Sequence, residues 1–180
     1  MYDNVVILGR FSVAGIASTA YSPAGGAILF SFQNPSDSGR DVIIRKHGFS
    51  IPSGAAATVI GNITVSYQIV RVFSVNDTGG REMIPSCISS IKTEPSCKIR
   101  IGSTAALVAG TRVPDFDRYT GKTVSLKVGD MAQMDFETTS VIVLKPGEGL
   151  ELTTRTTLPA GVTLRPGVMI EWDELIAGQI

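Results

Sequence analysis

The chain has 180 residues, with sixteen basic side chains balancing sixteen acidic ones and a single histidine. That is the length of one ordinary domain, and the even charge leaves no basic footprint for a nucleic-acid partner. No run approaches the roughly eighteen apolar residues of a spanning helix, and the opening MYDNVVILGRFSVAG lacks the basic flank and apolar centre of a signal peptide. No membrane association is expected.

Val, Ile and Thr supply 51 residues and Leu only 10, beside nineteen glycines and nine prolines. Branched side chains lose rotamer freedom in a helical turn and pack well on a pleated surface. Gly and Pro in such number serve many short strands joined by turns. The balance predicts sheet, with helix below about one tenth of the chain.

In chain order, residues 1–25 are small and nearly uncharged. They read as an N-terminal arm, or as an edge strand folded back on its own domain, ahead of a single β-sandwich domain over 26–180. Val5, Val6, Ile7, Leu8, Phe11 and Val13 are the assembly-contact candidates. An apolar segment with few charges to solvate it is satisfied by docking on a neighbour.

AILFSFQ then predicts a strand over 27–33, and DVIIRKH one over 41–47. NPSDSGR between them carries the residues that reverse a chain, so the two are expected to be adjacent and antiparallel. Residues 57–75 suit two strands or one long bent strand, with a bulge or turn at Gly61-Asn62. Over Tyr67–Val75, Val70 and Val72 share one face while Tyr67, Ile69, Arg71 and Phe73 share the other. Both faces being largely apolar, one is expected on the core and the other against a partner.

A weak strand is expected over 83–92, and Ile99 and Ile101 of KIRIG point one way while Lys98 and Arg100 point the other. Residues 103–109 are the one helix candidate, 111–122 a polar loop, and TVSLKVG a strand; 131–137 is ambiguous. SVIVLKPGEGLELTTRT predicts two strands around Pro146-Gly147-Glu148-Gly149, and VMIEWDEL a last strand with Val168, Ile170 and Trp172 on one face.

Eight to ten strands with almost no helix must bury one sheet on another. The expected fold is all-β, a two-layer antiparallel β-sandwich, jelly-roll-like. An antibody-type arrangement is disfavoured because both cysteines precede the only tryptophan.

The residues offer little chemistry. One histidine, His47, falls short of the two or three that a metal-binding cupin uses. Ser50 or Ser53 could be combined with it only by free permutation, since no G-x-S-x-G elbow is present. Asp115, Asp117, Asp130, Asp135 and Glu137 suit solvated turns, with Ca²⁺ at Asp115 and Asp117 the least implausible metal. Glu148 with Glu171 would need an aromatic-rich cleft to act on a glycoside, and aromatics are 7% of the chain. Cys87 and Cys97 are expected as free thiols of a reducing cytoplasm, a pairing across a hairpin being the alternative. Asn62-Ile63-Thr64 and Asn76-Asp77-Thr78 match a glycosylation pattern that has no consequence without export. No catalytic residue, metal or cofactor is expected.

Two blocks carry a resemblance: AILFSFQNPSDSGRDVIIRK and VIVLKPGEGLELTTRTTLPAGVTLRPGVMIEWDEL. Both resemble jelly-roll head decoration, or cement, proteins of tailed bacteriophages, over about a third of the chain. The resemblance gives no functional residue to carry over. It implies a structural virion protein, made in the host cytoplasm and placed on the outer capsid surface. Its partners would be itself, as a homotrimer or next a dimer, and the major capsid protein. The alternative is the receptor- or glycan-binding head of a phage tail fibre or spike, with Phe116, Tyr119 and Tyr67 as the aromatics available for stacking on a sugar. A major capsid protein is disfavoured by length.

Overall fold

A computed structural model describes residues 6–18, 26–55, 62–73, 79–90, 93–103, 112–114, 122–127, 131–136, 141–155, 157–158 and 160–180. Every regular element among the described residues is a β-strand, and the strands form two sheets of seven. The first sheet holds β1 (Ile7–Ile16), β3 (Arg40–Ala55), β6 (Ser86–Cys87), β10 (Met131–Phe136), β11 (Ile142–Leu144), β13 (Val162–Leu164) and β14 (Gly167–Ile176). The second holds β2 (Ile28–Gln33), β4 (Asn62–Phe73), β5 (Arg81–Glu82), β7 (Lys98–Ile101), β8 (Arg112–Pro114), β9 (Lys122–Lys127) and β12 (Gly149–Thr154).

Alternation decides which side chains enter the space between the sheets. From the first sheet come Phe11, Val13, Val42, Ile44, Phe49, Ile51, Val168, Ile170 and Trp172; from the second, Phe30, Phe32, Val65, Tyr67, Ile69, Ile99, Ile101, Leu150 and Leu152. Trp172 is fully buried, stacked on Phe11 at 5.6 Å between ring centres and edge-on to Phe32 at 5.1 Å. Phe30 meets Phe49 at 5.3 Å, so aromatic contacts tie one sheet to the other. The two antiparallel sheets pack as a two-layer β-sandwich, as the strand-only sequence requires.

The pairing is nested. β1 pairs with β14, β2 with β12, β3 with β11 and β10, and β4 with β9, all antiparallel. The chain behaves as a long ribbon doubled back on itself, and the ribbon crosses between sheets where β2 leads to β3 and β11 leads to β12. At that crossing the two turns are bonded together. Asn34 N donates to Glu148 O at 2.9 Å and Gly147 N to Asn34 O at 2.8 Å. Asn34 Nδ2 donates to Arg40 O and Leu144 O, so one side chain joins both turns. Gly147 takes φ +86°, a conformation open to glycine and costly to other residues.

Three expectations are corrected. Strands 27–33 and 41–47 both exist, but they are not paired together: β2 lies in the second sheet and β3 in the first. The reason is the NPSDSG turn, which is long enough to span the gap between layers. The strand expected over 83–92 is broken: β5 and β6 are two residues each and belong to different sheets, separated by Met83-Ile84-Pro85. Proline cannot donate to a ladder, so a break there is natural. The outer face of β4 is largely covered from within the chain, Val72 alone of its two named valines being half-exposed. Tyr67 and Ile69 enter the core, while Ser66, Gln68 and Val70 occupy the other side and are themselves buried. Of the two readings of the N-terminal segment, the strand folded back on its own domain is the one found, since β1 pairs along its length with β14 and briefly with β6. The helix expected over 103–109 lies, apart from Ser103, outside the described residues.

Candidate functional site

Of the six assembly-contact candidates, Phe11 and Val13 are core side chains, at 0% and 6% exposure. This corrects the expectation for them: alternation along β1 turns them inward. Leu8 is half-buried and its carbonyl accepts from Thr93 Oγ1 at 2.9 Å. Val6 and Ile7 are exposed, and Val6 N donates to the Gln179 side chain. Val5 lies outside the described residues.

Among the described residues the remaining candidates are not brought together. His47 points into the core at 3% exposure, its ring stacked at 5.3 Å on Tyr67. Burial pushes its pKa down to about 4, so it is neutral at pH 7. Ser50, three positions on, borders the outer face, which separates it from His47 by the thickness of the sheet. Glu148 sits in the ribbon crossing and accepts from Lys145 N at 2.7 Å, whereas Glu171 pairs with Lys46 at 3.6 Å on β14 and β3. Tyr67, offered as a sugar-stacking aromatic, is fully buried; Phe116 and Tyr119 lie outside the described residues. So do Asp115, Asp117, Asp130 and Glu137, and Asp135 is placed by backbone pairing opposite Gly48. Among the described residues no three His, Cys, Asp or Glu side chains gather as metal ligands. Cys87 and Cys97 are both free thiols. Burial first, then the Glu174 carboxylate, pushes the Cys97 thiol well up, which keeps it protonated and unreactive.

The structure instead builds a surface that sequence reasoning missed, the outer face of β1, β14 and β3. Register places Arg10 opposite Asp173, Ser12 opposite Glu171, Ala14 opposite Met169 and Ile16 opposite Gly167. Continuing onto β3, Glu171 lies opposite Lys46, Met169 opposite Gly48 and Gly167 opposite Ser50. The face therefore runs from charged rows at one end to apolar and side-chain-poor rows at the other.

At the charged end one buried carboxylate holds two guanidinium groups. Arg10 Nε lies 2.6 Å from Asp173 Oδ1, and Arg45 Nη2 lies 2.7 Å from Oδ2. Asp173 has no exposed surface, while the arginine side chains stay 46% and 41% exposed. Burial alone would push the Asp173 carboxyl up, but hydrogen bonds from Arg10 and Arg45, with their charge, outweigh it and hold the carboxyl below its ordinary value. What the surface presents here is cationic, because the anion is underneath and Lys46 adds to it.

At the other end lies an open depression of about 510 Å³ lined by Ala14, Ile16, Gly48, Ser50, Gly167 and Met169 among others. Over Gly167 its floor is closed by neighbouring side chains. A Cβ on Gly167 would come within 2.5 Å of Ser50 Oγ and 3.3 Å of an Ile16 methylene. Ile16 and Met169 stand beside it half-exposed. Register was the missing signal: no sequence period says that Ala14, Met169 and Gly48 share one row.

No protein-family model matches the chain, and no curated protein matches it.

Proposed function

We propose that this chain is a structural virion protein, a jelly-roll decoration or cement protein that binds the outer capsid surface of a tailed phage and stabilises it. One observation carries the reading. The two sequence blocks that resemble such proteins, distant in the chain, come together as a single unit, with Asn34 bonded to Gly147 and Glu148 at the ribbon crossing. Nested pairing of β1 with β14, β2 with β12, β3 with β11 and β4 with β9 supports a jelly-roll assignment of the sandwich. Jelly rolls serve capsids, lectins and cupins alike, so the fold contributes only by analogy. The role is non-catalytic and needs no cofactor, and the protein acts as a homotrimer against the major capsid protein. A receptor- or glycan-binding fibre head is the weaker reading, because Tyr67, one of its three stacking aromatics, is in the core.

The test is cosedimentation of the purified protein with phage heads stripped of their decoration protein. Saturable binding, with a rise in the temperature at which the heads release DNA, is the expected result. Absence of binding together with reproducible signals on a glycan array would replace this reading with the fibre-head one.

A further inference from the structure

We propose that the outer face of β1, β14 and β3 is a docking surface for an extended protein segment that presents an apolar side chain beside carboxylates. The proposal does not depend on the partner being a capsid subunit. The two outer faces of the sandwich differ in a way that singles this one out. On the second sheet Ser31, Gln33, Ser66, Gln68, Glu151 and Thr153 point away from the core and are nevertheless buried. On the first sheet Ile16 and Met169 stand half-exposed around the Gly167 floor.

Charge chooses the occupant. The chain as a whole is neutral, yet this face exposes Arg10, Arg45 and Lys46, while Asp173 is fully buried and Glu171 is only 28% exposed. A second copy docked face to face would bring like cations towards one another at the charged end, or towards Arg165, which lies past Ile16 with its Nε on Ala17 O at 3.0 Å. An acidic segment meets no such penalty where its carboxylates lie at the Arg10 and Arg45 end, away from the Gly48 row that Asp135 continues. Its apolar side chain would seat in the depression beside Ile16 and Met169, both half-exposed there, and its carboxylates would lie over the guanidinium groups.

The probe is a ten-residue synthetic peptide carrying one Phe followed by three Glu, compared with versions carrying Lys for Glu or Ala for Phe. Binding is followed by amide chemical shifts of the full chain. The expected result is saturable binding of the Phe–Glu peptide alone, with shifts at 12–16, 46–50 and 167–171. Met169→Asp, an exposed position, should weaken it about tenfold, and Lys46→Glu severalfold, in step with added salt. Val72→Asp, equally exposed on β4, should leave it unchanged. No binding, equal binding of the Lys peptide, or shifts confined to the second sheet would overturn the proposal. So would a concentration-dependent dimer abolished by Met169→Asp, which would make the occupant a second copy. Preferential binding of phosphatidylserine vesicles over the peptide would overturn it in favour of a lipid surface.

Discussion

Around β2 and β12 the outer face of the second sheet is polar and covered; the outer face of the first is part apolar and open. On the covered face Arg100, Ser31, Glu151 and Gln68 lie in one row across four strands. Arg100 Nε reaches Gly79 O at 2.7 Å, and Arg155 donates to both Ser66 Oγ and Gln68 Oε1. On the open face Ala14, Met169 and Gly48 form a row without polar side chains across β1, β14 and β3, which β10 continues with Asp135. Polarity in this sandwich therefore does not mark solvent. Buried polar groups are retained where they bond to one another, and each costs its desolvation if the partner is removed.

That difference lasts only while the sheets stay packed, so the largest expected effect comes from what lies between them. His47 has a pKa near 4 when folded, against an ordinary 6.5, and the unfolded chain therefore binds the extra proton first. Its stabilising contribution is complete above about pH 6.5 and is lost progressively down to pH 4, amounting to about 3 kcal/mol. Urea melts from pH 7 to 4 should show this slope, and His47→Leu should flatten it. Asp173 has its carboxyl held below the ordinary value, so its contribution is present above about pH 4 and is lost only on further acidification. A slope in His47→Leu equal to that of the native chain would place the acid sensitivity elsewhere.

On the covered face Glu151→Ala is expected to cost about 2 kcal/mol, because it empties a fully buried position between Ser31 and Gln68. Arg155→Ala, nearer the surface, should cost about 1 kcal/mol. Met169→Ala on the open face should change stability by less than about 0.5 kcal/mol. Denaturant midpoints for the three rank the faces directly; a Met169→Ala loss as large as that of Glu151→Ala would dissolve the distinction.

Much of the layout was legible in the sequence. Ile99 and Ile101 alternate with Lys98 and Arg100 as expected, and Val168, Ile170 and Trp172 enter the core together. Period-two burial is a local property, so local reading recovers it. Partner choice is not local. NPSDSG looks like a hairpin turn from its residues, and only Asn34 bonding to Leu144 O, 110 positions away, makes it a crossing between sheets. The candidate surface was illegible for the same reason. Gly167, Gly48 and Ala14 look like punctuation in three separate strands until register lines them up. In β1, apolar residues with few charges suggested an arm, although the alternation Phe11, Val13 was that of a half-buried strand.

Pairing of the first strand with the last has a consequence for synthesis. Arg10 and Asp173 are 163 positions apart. At ribosomal rates of about 5–20 residues per second, β1 waits roughly ten to thirty seconds for β14 to be made. Until then β1 has only the two-residue β6 to pair with, and the first sheet lacks the member that lies between β1 and β3. The nascent chain is thus a holding problem rather than a stepwise one, and the native sandwich closes only after translation has passed its C-terminal third.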